Sequence, residues 1–299
     1  MFEDFKGAFS KPNNGLIQII LINVIVFLLL NIFMLMFKWT GLAGWYVYVE
    51  RNLMLPANLS VFITRPWTLI TYFFSHENIF HILSNMLFLY WFGKLIEEYL
   101  GNRRLINLYL LGGLAGGILY LLIYNLIPYY NNQIEKSVML GASGAVYAVV
   151  VGAATLMPNY TFFMLLLGPV RIKYIAAFFL VLSFVQLSGD NNAGGQLAHL
   201  GGALLGFIFI KQLKKGTDLG QPLTALAESI KKLFAKKPAM KVTYHKKESN
   251  RSTVSSYNQT TYTPNQDEID AILDKISRSG YESLTKEEKQ KLFRASQKN

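Results

Sequence analysis

Residues 15–37 read GLIQIILINVIVFLLLNIFMLMF, an unbroken run without a single charge. About 20 mostly apolar residues in a helix span the roughly 30 Å hydrocarbon core of a bilayer. This run therefore sets the class of the chain. It is too long for the core of a signal peptide and no small-residue cleavage site follows it, so it reads as a retained transmembrane helix.

Five further apolar segments lie downstream: Asn78–Tyr99, Leu105–Ile127, a fourth ending near Met157–Pro158, Ile172–Leu187 and Gly195–Gln212. The uncharged stretch Val138–Val170 is too long for one span, and Pro158 with Asn159 gives it a place to break. The short piece Tyr160–Leu167 fits either a surface strand or the start of the fifth span. The expected architecture is an all-α membrane protein with six spans and a helical C-terminal tail.

The chain of 299 residues is 52% hydrophobic and 16% charged, well under the roughly 25% charge of a soluble domain. The average conceals four parts: 1–14, a polar N-terminal segment; 15–215, the membrane domain; 216–265, an amphipathic helix and flexible linker; and 266–299, a small helical hairpin. The absence of cysteine excludes a thiol nucleophile, a disulfide framework and a Cys-based metal site. The net charge of +11 does not call for nucleic acid, because Lys6, Lys11, Arg103, Arg104, Arg171, Lys173, Lys211, Lys214 and Lys215 flank one set of span ends. The loops at the other set hold few bases, among them Arg51, Arg65 and Lys136. Such a bias marks the cytoplasmic side. Both termini are expected in the cytoplasm, with the long loop Trp39–Pro66 outside and carrying structure of its own.

Polar residues at membrane depth are costly and face the protein interior or a wet cavity. His81 and Asn85, four apart, share one face of the second span. Ser143 sits between small residues in Gly141-Ala142-Ser143-Gly144, at the outer start of the fourth span. Glycine on both sides leaves the hydroxyl accessible, and a helix start leaves backbone N–H groups open to an anion. Gly141, Gly144, Ala148 and Gly152 form a small-residue face, as do His199, Gly202, Ala203 and Gly206 on the sixth span. Two such faces pack closely, which would bring His199 to Ser143 as the base that a serine nucleophile needs. No carboxylate is placed to complete a triad, since Asp190 falls in the loop before the sixth span. Tyr147, one turn below Ser143, is the candidate to orient the imidazole by stacking.

In order and spacing, Gly141-x-Ser143-Gly144, His81-x-x-x-Asn85 and Ala198-His199-x-x-Gly202-x-x-x-Gly206 resemble the rhomboid family of intramembrane serine proteases. Gly93-x-x-x-Glu97-x-x-x-Gly101 is similar to that family's GxxxExxxG motif. Arg65-Pro66-Trp67 is similar to the end of its first loop, with Pro66 interrupting the usual order. The resemblance covers roughly residues 15–212. It implies a six-helix fold with a water-filled cavity open to the outside. It implies a Ser143–His199 dyad and an oxyanion hole of His81, Asn85 and the Ser143 N–H. Tyr147 would pack on His199, and His76, Gly141, Gly144, Gly202, Gly206 and Glu97 would play supporting parts. The implied substrates are single-pass transmembrane proteins, cleaved without cofactor or metal. The implied address is the plasma membrane, with a eukaryotic organelle as the alternative.

Three other readings compete with this one. His76-Glu77-Asn78-Ile79-Phe80-His81 nearly reads as HExxH, but its histidines stand at i and i+5, about 140° apart on a helix, where zinc needs i and i+4. A transporter would show paired broken helices in an inverted repeat, and none is visible. A catalytically silent rhomboid-like protein that binds membrane clients keeps the same fold. Glu97 reads as a structural bond to a loop rather than part of a transport path.

In the tail, Gln221–Lys237 has the pattern of an amphipathic helix with Lys231, Lys232, Lys236 and Lys237 on a basic face, suited to an anionic leaflet or to solvent. Lys241–Asn265 reads as a linker. Ile269, Ile272, Leu273 and Ile276 form a helical stripe. Gly280 ends it, Thr285 and Glu288 match a capping box, and Leu292 and Phe293 would pack the second helix on the first. The hairpin carries no catalytic motif, and its docking site is either a partner protein or the membrane domain.

Overall fold

The computed structural model describes residues 14–164, 168–187, 192–234 and 266–296. The N-terminal segment, Asp190, the linker and Lys236 and Lys237 lie outside them. The described residues divide into two units, one within residues 1–236 and one within 237–299.

In the first unit the six apolar segments are helices. They are α1 (Gly15–Trp39), α5 (Ile79–Leu100), α6 (Asn102–Leu126), α7 (Ser143–Leu156), α8 (Ile172–Gln186) and α9 (Ala193–Lys214). Four of them, α1, α5, α6 and α9, are long and apolar enough to cross a membrane, while α7 and α8 are shorter. Between α1 and α5 the long loop folds into α2 (Ala43–Arg51), β1 (Leu55–Pro56), α3 (Leu59–Thr64) and α4 (Thr68–Thr71). Asn58 caps α3 by accepting from Ser60 N at 2.8 Å. Trp67 Nε1 donates to Asn52 O at 2.9 Å, tying the loop's end to its middle.

Two small antiparallel ribbons were not anticipated as pairs. β1 pairs with β2 (Val138–Met139). β3 (Thr161–Met164) pairs with β4 (Gly168–Arg171), so the segment after Pro158 is a strand rather than the start of the fifth span.

Helix α1 buries one narrow stripe, Gly15, Leu16, Ile19, Asn23 and Phe27. The spacing of four is the row by which one helix lies in the groove of another. Leu28, Leu29, Ile32 and Phe33 are exposed, as befits a surface solvated by hydrocarbon rather than water. The buried amide of Asn23 is satisfied by donating to Ile19 O at 2.8 Å and Tyr109 Oη at 3.1 Å.

The Gly93-Glu97-Gly101 series seats the start of α1. Leu16 lies where a Cβ on Gly93 would be. Glu97 Oε1 accepts from Leu16 N at 3.1 Å, and Asn102 Oδ1 accepts from Gly15 N at 2.8 Å. The expected bond from Glu97 to a loop is therefore corrected: the carboxylate caps a helix, where unpaired N–H groups and the positive end of the dipole favour it. Gly101, at φ +81°, makes the break between α5 and α6 that a side chain would strain. Replacing Glu97 by Ala is expected to cost about 2 kcal/mol, read as a lower melting temperature in detergent.

Helix α7 is the centre of the bundle. Every residue from Gly144 to Ala154 is buried except Tyr147, with α5, α6 and α9 packed around it. Glycines make this possible: Gly112 on α6 faces Ala148, Gly202 on α9 faces the Gly144 carbonyl, and Gly206 faces the Ala148 carbonyl. Fourteen residues rise only about 21 Å, less than the hydrocarbon thickness. A helix this short leaves room at one end of the bundle, and Ser143 stands at that end.

Helix α9 ends at Lys214, and a turn through Gly216 at φ +91° leads into α10 (Gln221–Phe234); the last three residues of the expected Gln221–Lys237 lie outside the described residues. In the second unit, α11 (Gln266–Ser279) and α12 (Lys286–Ser296) form the hairpin. Ile272 and Leu284 are buried in it, while the side chain of Phe293 lies outside the described set. The capping box is built: Thr285 N donates to Glu288 Oε2 at 2.7 Å and Glu288 N donates to Thr285 Oγ1 at 3.3 Å. Lys275 Nζ adds bonds of 2.9 Å to both carboxylate oxygens of Glu288.

Lys275 first, and then the Thr285 N–H, holds the Glu288 carboxyl at about 2, below its ordinary 4.5. The unfolded chain takes up this proton near 4.5, ahead of the folded hairpin. The stabilisation is therefore complete above pH 4.5 and is lost as pH falls toward 2. NMR secondary shifts of residues 287–292 in the full chain are expected to decay across that window, and Glu288→Ala is expected to remove this contribution to the decay.

Candidate functional site

Ser143 opens helix α7 because the chain turns sharply just before it. Gly141 holds φ +120° and donates from its N to Tyr72 O at 2.9 Å. A Cβ on Gly141 would come within 2.7 Å of His81 Cε1 and Nε2, so only glycine leaves this imidazole in place. The N-cap is Ala142, with no side-chain hydrogen bond to the first turn. The N–H groups at the start of α7 thus remain open beside the serine.

A cavity of about 330 Å³ lies in front of Ser143. His81, Asn85, Tyr147 and His199 line it with the serine, and Phe88, Val146, Val150 and Phe179 supply apolar wall. Four expected groups from α5, α7 and α9 thus converge on Ser143. On α5, Asn78 caps the helix through His81 N at 2.9 Å. Asn85 Nδ2 donates to His81 O at 2.8 Å. An amide carries two N–H groups, so its second faces no demand from that bond.

The imidazole of His199 is held by more than stacking. Its ring lies 4.1 Å from that of Tyr147, centroid to centroid, with planes 6° apart. Nδ1 is 3.1 Å from Ser183 Oγ and 3.1 Å from Gln196 Oε1. Ser183 Oγ donates to Tyr147 Oη at 3.0 Å, and Gln196 Nε2 donates to Gln186 Oε1 at 2.7 Å. With its hydrogen so engaged, Ser183 presents lone pairs to the ring, and an amide oxygen only accepts. Gln196 Oε1 thus favours the tautomer with its proton on Nδ1, an N–H that Ser183 Oγ can also accept, and in that tautomer the lone pair of the neutral ring is on Nε2.

Ser183 and Gln196 were not recognised from the sequence. The available signals were a lone serine in the apolar run of α8 and a glutamine three residues before His199, on the same helical face. Asn192, at φ 63°, caps α9 through Gly195 N at 3.2 Å and also borders the cavity.

His76 stands apart from Ser143. It is buried, meets His81 edge-on at 5.2 Å and 75°, and lines a different, smaller cavity with Asn31, Tyr46, Glu50 and Glu77. The two rings of the near-HExxH stretch thus serve separate cavities. Gly144, Gly202 and Gly206 lie at the crossing of α7 and α9, and Glu97 lies at the start of α1, none of them lining the cavity.

Comparison with known proteins bears on this arrangement. The model of the rhomboid domain matches residues 64–215. A family of unknown function, DUF6576, matches residues 255–298. RHOMBOID-like protein 12, mitochondrial, of Arabidopsis thaliana is 34% identical over 158 residues, 50% of this chain and 47% of its own length. Rhomboid-like protein 16, chloroplastic, from the same plant is 29% identical over 227 residues, 71% of this chain and 66% of its own length. The chain spans about half to two thirds of these relatives. With half its length matched by the rhomboid domain, and with Ser143, His81, Asn85 and His199 on one cavity, the chain belongs to the rhomboid family.

Proposed function

We propose that the protein is an intramembrane serine endopeptidase that cleaves single-pass transmembrane proteins. The observation that carries this reading is the placement of His199 on the cavity that Ser143 lines, with Nδ1 held 3.1 Å from Gln196 Oε1, an acceptor that favours the tautomer whose Nε2 is free to act as base. In the first half-reaction Ser143 Oγ attacks the scissile carbonyl while His199 Nε2 takes its proton. The tetrahedral oxyanion accepts from Ser143 N–H, His81 and the second N–H of Asn85, each worth about 3 kcal/mol in the transition state. Collapse transfers the proton from His199 to the departing amine and leaves an acyl ester on Ser143. Water, deprotonated by the same Nε2, then hydrolyses the ester.

Gln196 is a positioning residue in this scheme. Gln196→Leu removes one acceptor from Nδ1 and is expected to lower kcat about 10–100-fold with little change in KM. Kinetics on a fluorogenic transmembrane peptide in liposomes read this directly. The overall reading is tested by cleavage of a panel of single-pass reporters by the purified chain in liposomes. Cleavage that survives EDTA supports it. A folded chain that captures reporters without cutting any favours the second reading, a client-binding rhomboid-like protein, which the shared fold alone would equally allow.

For the address, the basic residues at one set of span ends support cytoplasmic termini in a cell membrane, with the Ser143 cavity toward the outside. Names of relatives that carry "mitochondrial" and "chloroplastic" favour an organelle membrane as the second reading. Imaging of a tagged chain in its own cell separates the two.

A further inference from the structure

Helix α10 is joined to the bundle by the wrong side for an ordinary surface helix. Its polar residues face the bundle. Asn107 Nδ2 donates to Gly220 O and to Thr224 Oγ1, both at 3.0 Å. Arg103 pairs with Glu228 at 3.3 Å, and Arg104 with Asp218 at 3.2 Å. At about 100° per residue, Thr224 and Glu228 stand opposite Leu226, Ile230 and Leu233, which share an arc of about 60°. Those three side chains are 58%, 46% and 82% exposed.

Soluble helices turn such a stripe toward the core, and an apolar stripe turned outward marks a surface with an occupant. The position of α10 identifies that occupant. The helix follows the last long apolar helix after a short turn, and its first turns sit at the start of α6, where the apolar bundle surface ends. Its exposed stripe therefore adjoins the hydrocarbon-facing surface of the bundle. Lys211 and Lys215 lie just before the turn, Lys214 Nζ there is held by Thr155 O at 2.8 Å and Leu156 O at 3.3 Å, and Lys231 and Lys232 stand about 130° to either side of the stripe. Long lysine side chains at this depth reach anionic headgroups while their stems cover apolar surface.

We infer that α10 is a lipid-surface anchor, seating Leu226, Ile230 and Leu233 in the headgroup–acyl boundary while Thr224 and Glu228 clamp it to the membrane domain. This function is independent of whether Ser143 cleaves anything. It fixes the start of the tail to the bilayer and so sets where the second unit can reach.

The chain has no cysteine, so single replacements carry one label each. Leu226→Cys, Ile230→Cys and Leu233→Cys, with Ala225→Cys and Lys232→Cys as controls on the other side, are labelled with bimane. The full chain is reconstituted in phosphatidylcholine–phosphatidylglycerol vesicles. Fluorescence at 226, 230 and 233 is expected to be lost to doxyl-labelled lipid and retained against iodide, with the reverse at 225 and 232. Quenching by iodide at all five positions would overturn the proposal. So would labels at 226, 230 and 233 shielded from both quenchers, because that face would then be covered by protein, whether a second copy or the chain's own second unit.

Discussion

Ser143→Ala and His199→Ala are each expected to lower the rate of reporter cleavage by a factor on the order of 10⁵, with binding of the reporter little changed. Serine without a base is a weak nucleophile, and a base without the serine has no nucleophile to activate. Removing either member of such a unit costs nearly as much as removing both. The double variant is therefore expected to be no slower than the single ones, within about tenfold, and that non-additivity separates a dyad from two independent contributions. The residual rate would come from the oxyanion donors, so Asn85→Ala in the wild-type background is a milder change. Steady-state kinetics in liposomes, with melting curves showing that each variant is folded, read all of these.

Gly202→Ala carries the largest expected structural penalty. A Cβ there meets the carbonyl of Gly144, one residue from Ser143, and the obstacle is backbone rather than a side chain that can rotate away. Helix α9 must then move off α7. Overpacking in a close-packed interior costs about 1–3 kcal/mol, and a backbone clash belongs at the top of that range. The displacement also shifts His199 relative to Ser143, and an error of about 1 Å in such a pair costs on the order of 10²-fold in rate. A fall in melting temperature together with loss of kcat is expected. Gly44→Ala is the control: nothing lies within 4 Å of a Cβ at that position, so it should be silent in both measurements.

The parts of this molecule written in single helices were legible before any coordinates. An uncharged run such as residues 15–37 states its own environment. A small-residue face on α7 and another on α9 state that two helices approach closely; His199 belongs to the second of them, and Ser143 adjoins Gly144 of the first. What escaped the sequence depends on pairing between distant segments. Glu97 was expected to bond a loop and instead caps α1 through Leu16 N, because nothing local to Glu97 names its partner. The two-residue strands β1 and β2 are too short to show a period. Ser183 and Gln196 are single polar residues in apolar helices, and only the fold brings both to Nδ1 of His199. Tyr147, by contrast, was found because stacking needs only a ring one turn below the serine, a distance that sequence spacing does supply. The brevity of α7 was visible only as a break at Pro158. Its consequence, room for a cavity above Ser143, required the lengths of its neighbours.

In the proposed mechanism His199 makes Ser143 a nucleophile. The most direct test is to react the full chain in detergent with a fluorophosphonate and locate the adduct by mass spectrometry. The expected result is one adduct, on Ser143, that disappears in His199→Ala while both proteins keep their melting temperatures. A well-folded wild-type chain whose Ser143 stays unmodified, or is modified equally without His199, would contradict it.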